Sequence, residues 1–147
     1  MRSVLQVVKS AKLFIDNKLY SSIGRGFLIL VGFSSDDTEN DVKKMMDKLL
    51  GLRIFQDEFG KTNLSLDDVN GEVMIVSQFT LYADVKKGRR PSFTNSAHPS
   101  ISSPLYDFTI NYVSSFRKCE KGVFGADMQI ELVNDGPFTL MVDSKEL

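Results

Sequence analysis

The sequence predicts an α/β fold: a three-layer α/β/β arrangement of largely antiparallel, curved, barrel-like sheets with two helices packed on one side. Three observations predict it. Strand-like segments outnumber helical ones, and several strands separate the two helices. Phe27 to Phe33 is a continuous apolar run of strand length, as expected of a strand covered on both faces. Val42, Met45, Met46, Leu49 and Leu50 recur at spacings of three and four, which lays one apolar stripe along a helix.

Taken in order, Arg2 to Val8 and Lys12 to Asp16 read as two strands, and Lys18 to Ile23 follows the turn-like Asp16–Asn17 as the return arm of a hairpin. Gly24 and Gly26 punctuate the chain before the Phe27 run. Thr38 is suited to cap the first helix, with Glu39 and Asp41 in the first turn where the helix dipole favours acids. Gly51 lies near the end of that helix. Arg53 to Gln56 is expected to be a short strand, with turns at Asp57–Lys61 and Asp67–Gly71. Glu72 to Phe79 is the clearest strand. Asp84 to Ser103 is a long polar loop, and Ser103–Pro104 opens the second helix, since proline suits a first helical position. Leu105, Phe108, Thr109, Tyr112, Val113 and Phe116 are its expected buried face. Met128 to Val133 and Phe138 to Val142 are two final strands, joined by a turn at Asn134–Pro137.

The whole chain, 1–147, is expected to be a single domain, a length that buries a core without disulfides or metals. With 42% hydrophobic and 25% charged residues it has the composition of a globular domain, which excludes a disordered chain. The longest apolar run, Phe27 to Val31, is far shorter than a membrane-spanning helix, so no membrane partner is expected. The polar Lys9, Ser10 and Lys12 argue against a signal peptide, and the lone Cys119 rules out an intrachain disulfide. A cytoplasmic location is the expectation. One cysteine and one histidine are a poor ligand inventory, so neither a metal nor a cofactor is expected.

No nucleophilic triad is legible. His98, the only histidine, lies in a Ser- and Pro-rich loop and reads as a solvated side chain; Cys119 reads as an inert, half-buried thiol at the end of a helix. Gly24–Arg25–Gly26 lacks the third glycine of a dinucleotide fingerprint. The net charge of −1 does not announce a nucleic-acid binder, yet Lys86–Lys87–Gly88–Arg89–Arg90 is a local basic run. By charge alone it is a solvated loop. Two other segments carry chemical potential. Ser77–Gln78–Phe79–Thr80 sets polar side chains at the end of an apolar strand, where backbone N–H groups and hydroxyls can meet a ligand. Asn134–Asp135–Gly136–Pro137 is a strong turn signal, in which glycine permits close approach and an X-Pro bond can be cis for about 0.5–1 kcal/mol. Each has a plain structural alternative: a strand with one wet face, and a simple hairpin.

Together these segments resemble the D-aminoacyl-tRNA deacylase family. The resemblance is carried, in order, by Leu52–Phe55, Gly60–Ser65, Val76–Asp84, Lys87–Phe93, Phe124–Met128 and Val133–Pro137, and it spans nearly the whole chain. It implies a homodimer with active sites at the subunit interface. Ser77, Gln78, Phe79 and Thr80 are then the catalytic signature lining the pocket. Gly136 and Pro137 are then a Gly-cisPro motif that enters the partner's pocket, rejects L-amino acids and accepts D-aminoacyl-tRNA and glycyl-tRNA. Lys86, Lys87, Arg89 and Arg90 become contacts for tRNA phosphates. One position departs from the family pattern: Gln6–Val7–Val8 stands where Gln-Arg-Val is usual, and that arginine is implied to brace the Gly-Pro turn. A related branch carries the turn in trans, but it lacks the Ser-Gln-x-Thr pattern kept here. The rivals are a non-catalytic RNA-binding module, which needs only the basic loop, and a general esterase, which needs a triad.

Overall fold

A computed structural model describes residues 1–147. Its frame is one long strand, β1 (Arg2–Ile15), which pairs with three others. Over Ala11–Ile15 it runs antiparallel to β2 (Lys18–Ile23), and over Arg2–Val8 antiparallel to β3 (Gly26–Gly32). The helix α1 (Glu39–Leu50) follows. A small hairpin joins β4 (Phe55–Gln56) to β5 (Thr62–Leu64). Strand β6 (Glu72–Ser77) lies parallel to β3, and β7 (Cys119–Lys121) parallel to β6. Between them comes α2 (Pro99–Ser114). The last strand, β8 (Gln129–Asp143), is antiparallel to β1 along nearly its whole length. On the far side of the sheet the Ser21 hydroxyl of β2 donates to the Lys121 carbonyl of β7 at 2.9 Å, which brings the curved sheet close to closure.

Strand alternation divides the interior into two cores. Phe27, Ile29, Val31, Val73 and Ile75 face the helices and pack with Val42, Met45, Met46, Leu49 and Val113. Leu28, Met74 and Val76 face the other way, into a core with Val8, Ala11, Leu13 and Ile23. This is why the Phe27 run is apolar without a break. The helix faces follow the same demand. Asp41 closes the N-terminus of α1 by accepting the Thr38 N–H at 2.8 Å and its hydroxyl at 2.7 Å, so Thr38 caps as expected.

Several elements differ from the sequence expectation. The two N-terminal strands are one, because β1 runs through Lys9–Ser10 without a turn. Its parity changes there: Leu5 and Val7 face the helix core, whereas Val8, Ala11 and Leu13 face the second core. The second helix begins at Pro99, five residues before Pro104, because His98 caps it: its Nδ1 accepts the Ser100 N–H at 3.2 Å. Pro104 sits inside the helix, exposed near its first turn, where one lost backbone bond is tolerable. The buried face rotates accordingly to Ser102, Leu105, Tyr106, Thr109, Ile110 and Val113, while Phe116 lies beyond the helix and is exposed. Strands β5 and β7 have no alternating pattern long enough to announce them. The Arg53 strand shrinks to two residues, and the Glu72 strand ends at Ser77 rather than Phe79.

Candidate functional site

The end of β6 is built to leave the sheet. Val31 and Ser77 are register partners, and the Gln78 N–H donates to the Val31 carbonyl at 2.7 Å, the last bond to β3. The chain then turns into a short 3-10 helix, Phe79–Tyr82. Tyr82 is buried, and the Arg2 guanidinium lies 4.6 Å over its ring while donating to the Leu81 carbonyl at 3.1 Å. This clamps the turn against the start of β1. Burial is the largest influence on the Tyr82 phenol and pushes it up, so Tyr82 is a neutral wedge.

Ser77, Gln78 and Phe79 form one wall of a cleft of about 280 Å³. Phe124 to Met128 and Ile130 form the other. Those opposing residues carry part of the family resemblance, but sequence reasoning missed them as site residues. The available signal was Phe124–Gly125–Ala126–Asp127, a glycine beside an aromatic just before a strand. Gly125 has φ +76°, and Asp127 is the only charged side chain lining the cleft. Tyr106 supports this wall from behind. Its hydroxyl donates to the Ile75 carbonyl at 2.9 Å and accepts the Gly122 N–H at 3.2 Å, and its ring packs 6.1 Å from Phe124.

Thr80 stands behind Gln78 rather than in the cleft lining. Its Oγ1 accepts from the Gln78 side-chain amide at 2.6 Å. An amide donor withdraws electron density from an oxygen and cannot take its proton, so this partner does not activate Thr80 as a nucleophile. Cys119 begins β7, rather than ending a helix as expected, and is half-buried; burial pushes its thiol up to about 12, so it stays protonated. His98 is spent on the cap of α2. No three His, Cys, Asp or Glu side chains are grouped to hold a metal ion.

Gly136 and Pro137 lie elsewhere on the chain, and they do not form a hairpin turn. Strand β8 continues through them. Gln6 pairs with Thr139 and Val8 with Asn134, so residues 135–138 of β8 stand opposite Val7 alone. Main chain is thereby looped out of the sheet. Asn134 closes the loop: its Oδ1 accepts the Phe138 N–H at 3.1 Å and its Nδ2 donates to Thr139 Oγ1 at 2.8 Å. The Gly136–Pro137 peptide is cis, and Gly136 has φ +129°. Both residues are exposed. Gly136 borders a separate recess of about 110 Å³ with Val7, Arg25 and Phe55, not the Ser77 cleft of its own chain. Arg25 places its guanidinium 5.1 Å over Phe55; position 7 holds Val7, and the side-chain hydrogen bonds of the loop come from Asn134.

Lys86, Lys87, Arg89 and Arg90 occupy an exposed loop whose neck is closed by two backbone bonds between Asp84 and Ser92, at 2.7 and 2.9 Å. None of the four pairs with an acid within 4.0 Å. A larger groove of about 660 Å³ lies against α1, lined by Lys44, Asp47, Lys48, Arg53 and the C-terminal Leu147. It mixes both charge signs at a helix C-terminus, where the dipole disfavours anions.

The fold is a nearly closed mixed α/β barrel with two helices on one side, carrying a cleft at the end of β6 and an exposed basic loop after the 3-10 turn. The chain belongs to the D-Tyr-tRNA(Tyr) deacylase family, whose model matches residues 4–143. It is 51% identical over 148 aligned positions to a D-aminoacyl-tRNA deacylase of Thermosipho africanus (strain TCF52B), covering 100% of this chain and 99% of that one. It is 49% identical over 146 positions to a D-aminoacyl-tRNA deacylase of Desulfatibacillum aliphaticivorans, covering 99% and 100%. Among solved structures, a c-Myc DNA unwinding element binding protein superposes with TM-score 0.91 at 35% identity, covering 97% of this chain and 98% of that one. A probable eukaryotic D-amino acid tRNA deacylase superposes with TM-score 0.82 at 22% identity over 96% and 97%, a likeness of fold.

Proposed function

We propose that this protein hydrolyses the ester joining a D-amino acid, or glycine, to tRNA, and that it does so as a homodimer with Gly136 and Pro137 of each subunit reaching into the other's Ser77–Phe79 cleft. The observation that carries this reading is the main-chain loop at residues 135–138, pushed out of β8, exposed at Gly136 and Pro137 and absent from the lining of its own chain's cleft. A second copy supplies what one chain lacks. The outer edge of β8 pairs with no strand of this chain, and Val133 and Met141 on it are exposed, so the edge has unsatisfied backbone groups and apolar surface for a partner.

Rigid backbone at the chiral carbon explains selection. Inverting that carbon exchanges hydrogen and side chain, so main chain filling the L side-chain position excludes every L-residue whatever its identity. D-residues of many kinds fit, and glycine has nothing to clash. The chemistry asks little of side chains because an aminoacyl ester is already activated. Water adds to the carbonyl carbon, the bond to the ribose oxygen breaks, and the proton passes to that oxygen, leaving free amino acid and tRNA. The Phe79 N–H meets the developing oxyanion. The terminal ribose 2′-OH assists the attack, since no side chain in the cleft is paired to a base.

The decisive experiment incubates the protein with D-Tyr-tRNA, L-Tyr-tRNA and Gly-tRNA. Cleavage of the first and third but not the second is the expected result, whereas a nucleic-acid-binding module cleaves none of them. Thr80→Ala is expected to keep substantial single-turnover deacylation, within about tenfold of wild type. Near-complete loss, or a trapped aminoacyl-Thr80 ester, would make Thr80 the nucleophile. Neutralising Arg89 and Arg90 together should weaken tRNA binding and lower the steepness of its salt dependence by roughly 0.7–0.9 for each phosphate no longer neutralised. An unchanged slope returns both to plain surface charges.

A further inference from the structure

We propose that Phe93 is a positioning residue: it couples engagement of tRNA by the basic loop to the hydrolytic rate at Phe79. The inference rests on the deacylase reading above and adds a route by which the body of the tRNA influences the reacting bond.

The loop leaves the 3-10 turn through Asp84, carries Lys86, Lys87, Arg89 and Arg90 at its tip, and returns at Ser92. Asp84 and Ser92 exchange backbone bonds, and the Asp84 carboxylate also accepts the Lys86 N–H at 2.9 Å. The neck and the first residue of the tip, Lys86, are thereby tied together. The residue after this neck is Phe93. Its ring meets the Phe79 ring edge to face, with centroids 5.0 Å apart and planes at 67°. Beyond it, the Ala97 N–H is held by the Phe33 carbonyl at 2.8 Å, at the end of β3. The segment is thus anchored at one end to the sheet and at the other to the catalytic turn, with the Phe93 ring as its side-chain contact to that turn.

The two rings are not core residues. Phe79 is 55% exposed and Phe93 38%, so their burial is incomplete within one chain. An edge-to-face contact is directional. On this proposal a displacement of the loop neck presses on the Phe79 ring and so shifts the residue whose N–H is the oxyanion donor. Phosphate contacts at the loop tip are not contacts to the bond that breaks. They raise the rate, rather than affinity alone, only if they are transmitted to the reacting centre. Phe93 supplies that transmission.

The test compares two substrates in single-turnover reactions: D-Tyr-tRNA, and 3′-O-(D-tyrosyl)adenosine, which lacks the phosphates that reach the loop. Wild type should show a saturating rate constant at least tenfold higher on the tRNA. Phe93→Ala should lower the saturating rate on D-Tyr-tRNA about tenfold, leave its half-saturating concentration within about twofold, and leave the adenosine ester within about twofold. Phe93→Leu, which keeps most of the volume without a ring edge, should behave like alanine, and Phe93→Tyr should restore the tRNA rate. Unfolding midpoints within a few degrees of wild type exclude a folding defect, and the leucine variant provides the same reading if alanine fails to fold. Equal losses on both substrates would make Phe93 a plain support of the pocket. A change in half-saturation alone would make it a binding contact. Either result overturns the proposal while deacylation by wild type stands, and an inactive wild type overturns the deacylase reading itself.

Discussion

Gly26→Ala is expected to cost about 4 kcal/mol or more of folding stability, lowering the unfolding midpoint by roughly 10 °C or preventing expression of soluble protein. Gly26 opens β3 between β1 and β6, paired to Val8 on one side and to Glu72 on the other. A Cβ built there falls 1.8 Å from the Glu72 carbonyl oxygen, 2.6 Å from its nitrogen and 2.7 Å from its carbonyl carbon. All three neighbours are main chain, so no side-chain rotation relieves the contact. The Glu72 N–H is bonded to the Arg25 carbonyl at 2.9 Å, and the Glu72 carboxylate accepts the Gly24 N–H at 2.9 Å. Separating the strands breaks this knot and disturbs the next residue, Phe27, whose ring stacks on Phe55 at 5.0 Å in the helix core. Gly60→Ala is the control. Gly60 has a positive φ, +73°, which Gly26 does not, but open space surrounds its missing Cβ, so the expected loss is about 1 kcal/mol. Denaturant unfolding of both variants checks the comparison; a Gly26→Ala loss no larger than that of Gly60→Ala would show that the β3–β6 contact accommodates a Cβ.

Gly136→Ala is expected to reduce single-turnover hydrolysis of D-Tyr-tRNA by roughly a hundredfold, the effect of misplacing a positioning group by about an ångström. The D-to-L rate ratio should fall with it. The cause is local. At φ +129° an L side chain is strained, and the Cβ would stand 2.9 Å from the Phe138 nitrogen and 3.3 Å from the Phe138 Cβ. The loop must change shape, at a cost of about 1–3 kcal/mol. Because Gly136 and Pro137 themselves are exposed, the loss of global stability should be no larger than that. Rates on D- and L-Tyr-tRNA, measured beside an unfolding curve, separate the two effects. An unchanged D-to-L ratio in a folded variant would remove this loop from chiral selection.

Much of the scaffold was legible because it rests on local chemistry. The heptad-like spacing from Val42 to Leu50, with Thr38 and Asp41 ahead of it, permits only a capped amphipathic helix packed on its Met45–Leu49 side. The unbroken Phe27–Phe33 run requires cover on both faces, and the two cores provide it. Ser77 to Phe79 could be placed at a strand end because polar residues terminate an apolar strand. Helix α2 was misread in part. Pro104 outweighed the weaker signal of His98, whose capping depends on one side-chain geometry rather than on residue type.

Residue order by itself determined the helix stripe, the buried strand, the polar end of β6 and the family motifs, since each depends on neighbours within a few positions. Three things were decided only in three dimensions. Gly24 and Gly26 looked like punctuation, yet Gly26 is required by Glu72, 46 positions away, whose backbone fills the space of its Cβ. Asn134–Pro137 looked like a hairpin turn, yet the pairing of β8 with both halves of β1 makes it a bulge that presents main chain outward. Phe124 to Met128 became the second wall of the cleft only when β7 and β8 brought them beside Ser77. Propensity and periodicity act along the chain, whereas steric exclusion and register act across it. A pattern confined to one segment cannot reveal which distant backbone will occupy the space beside it.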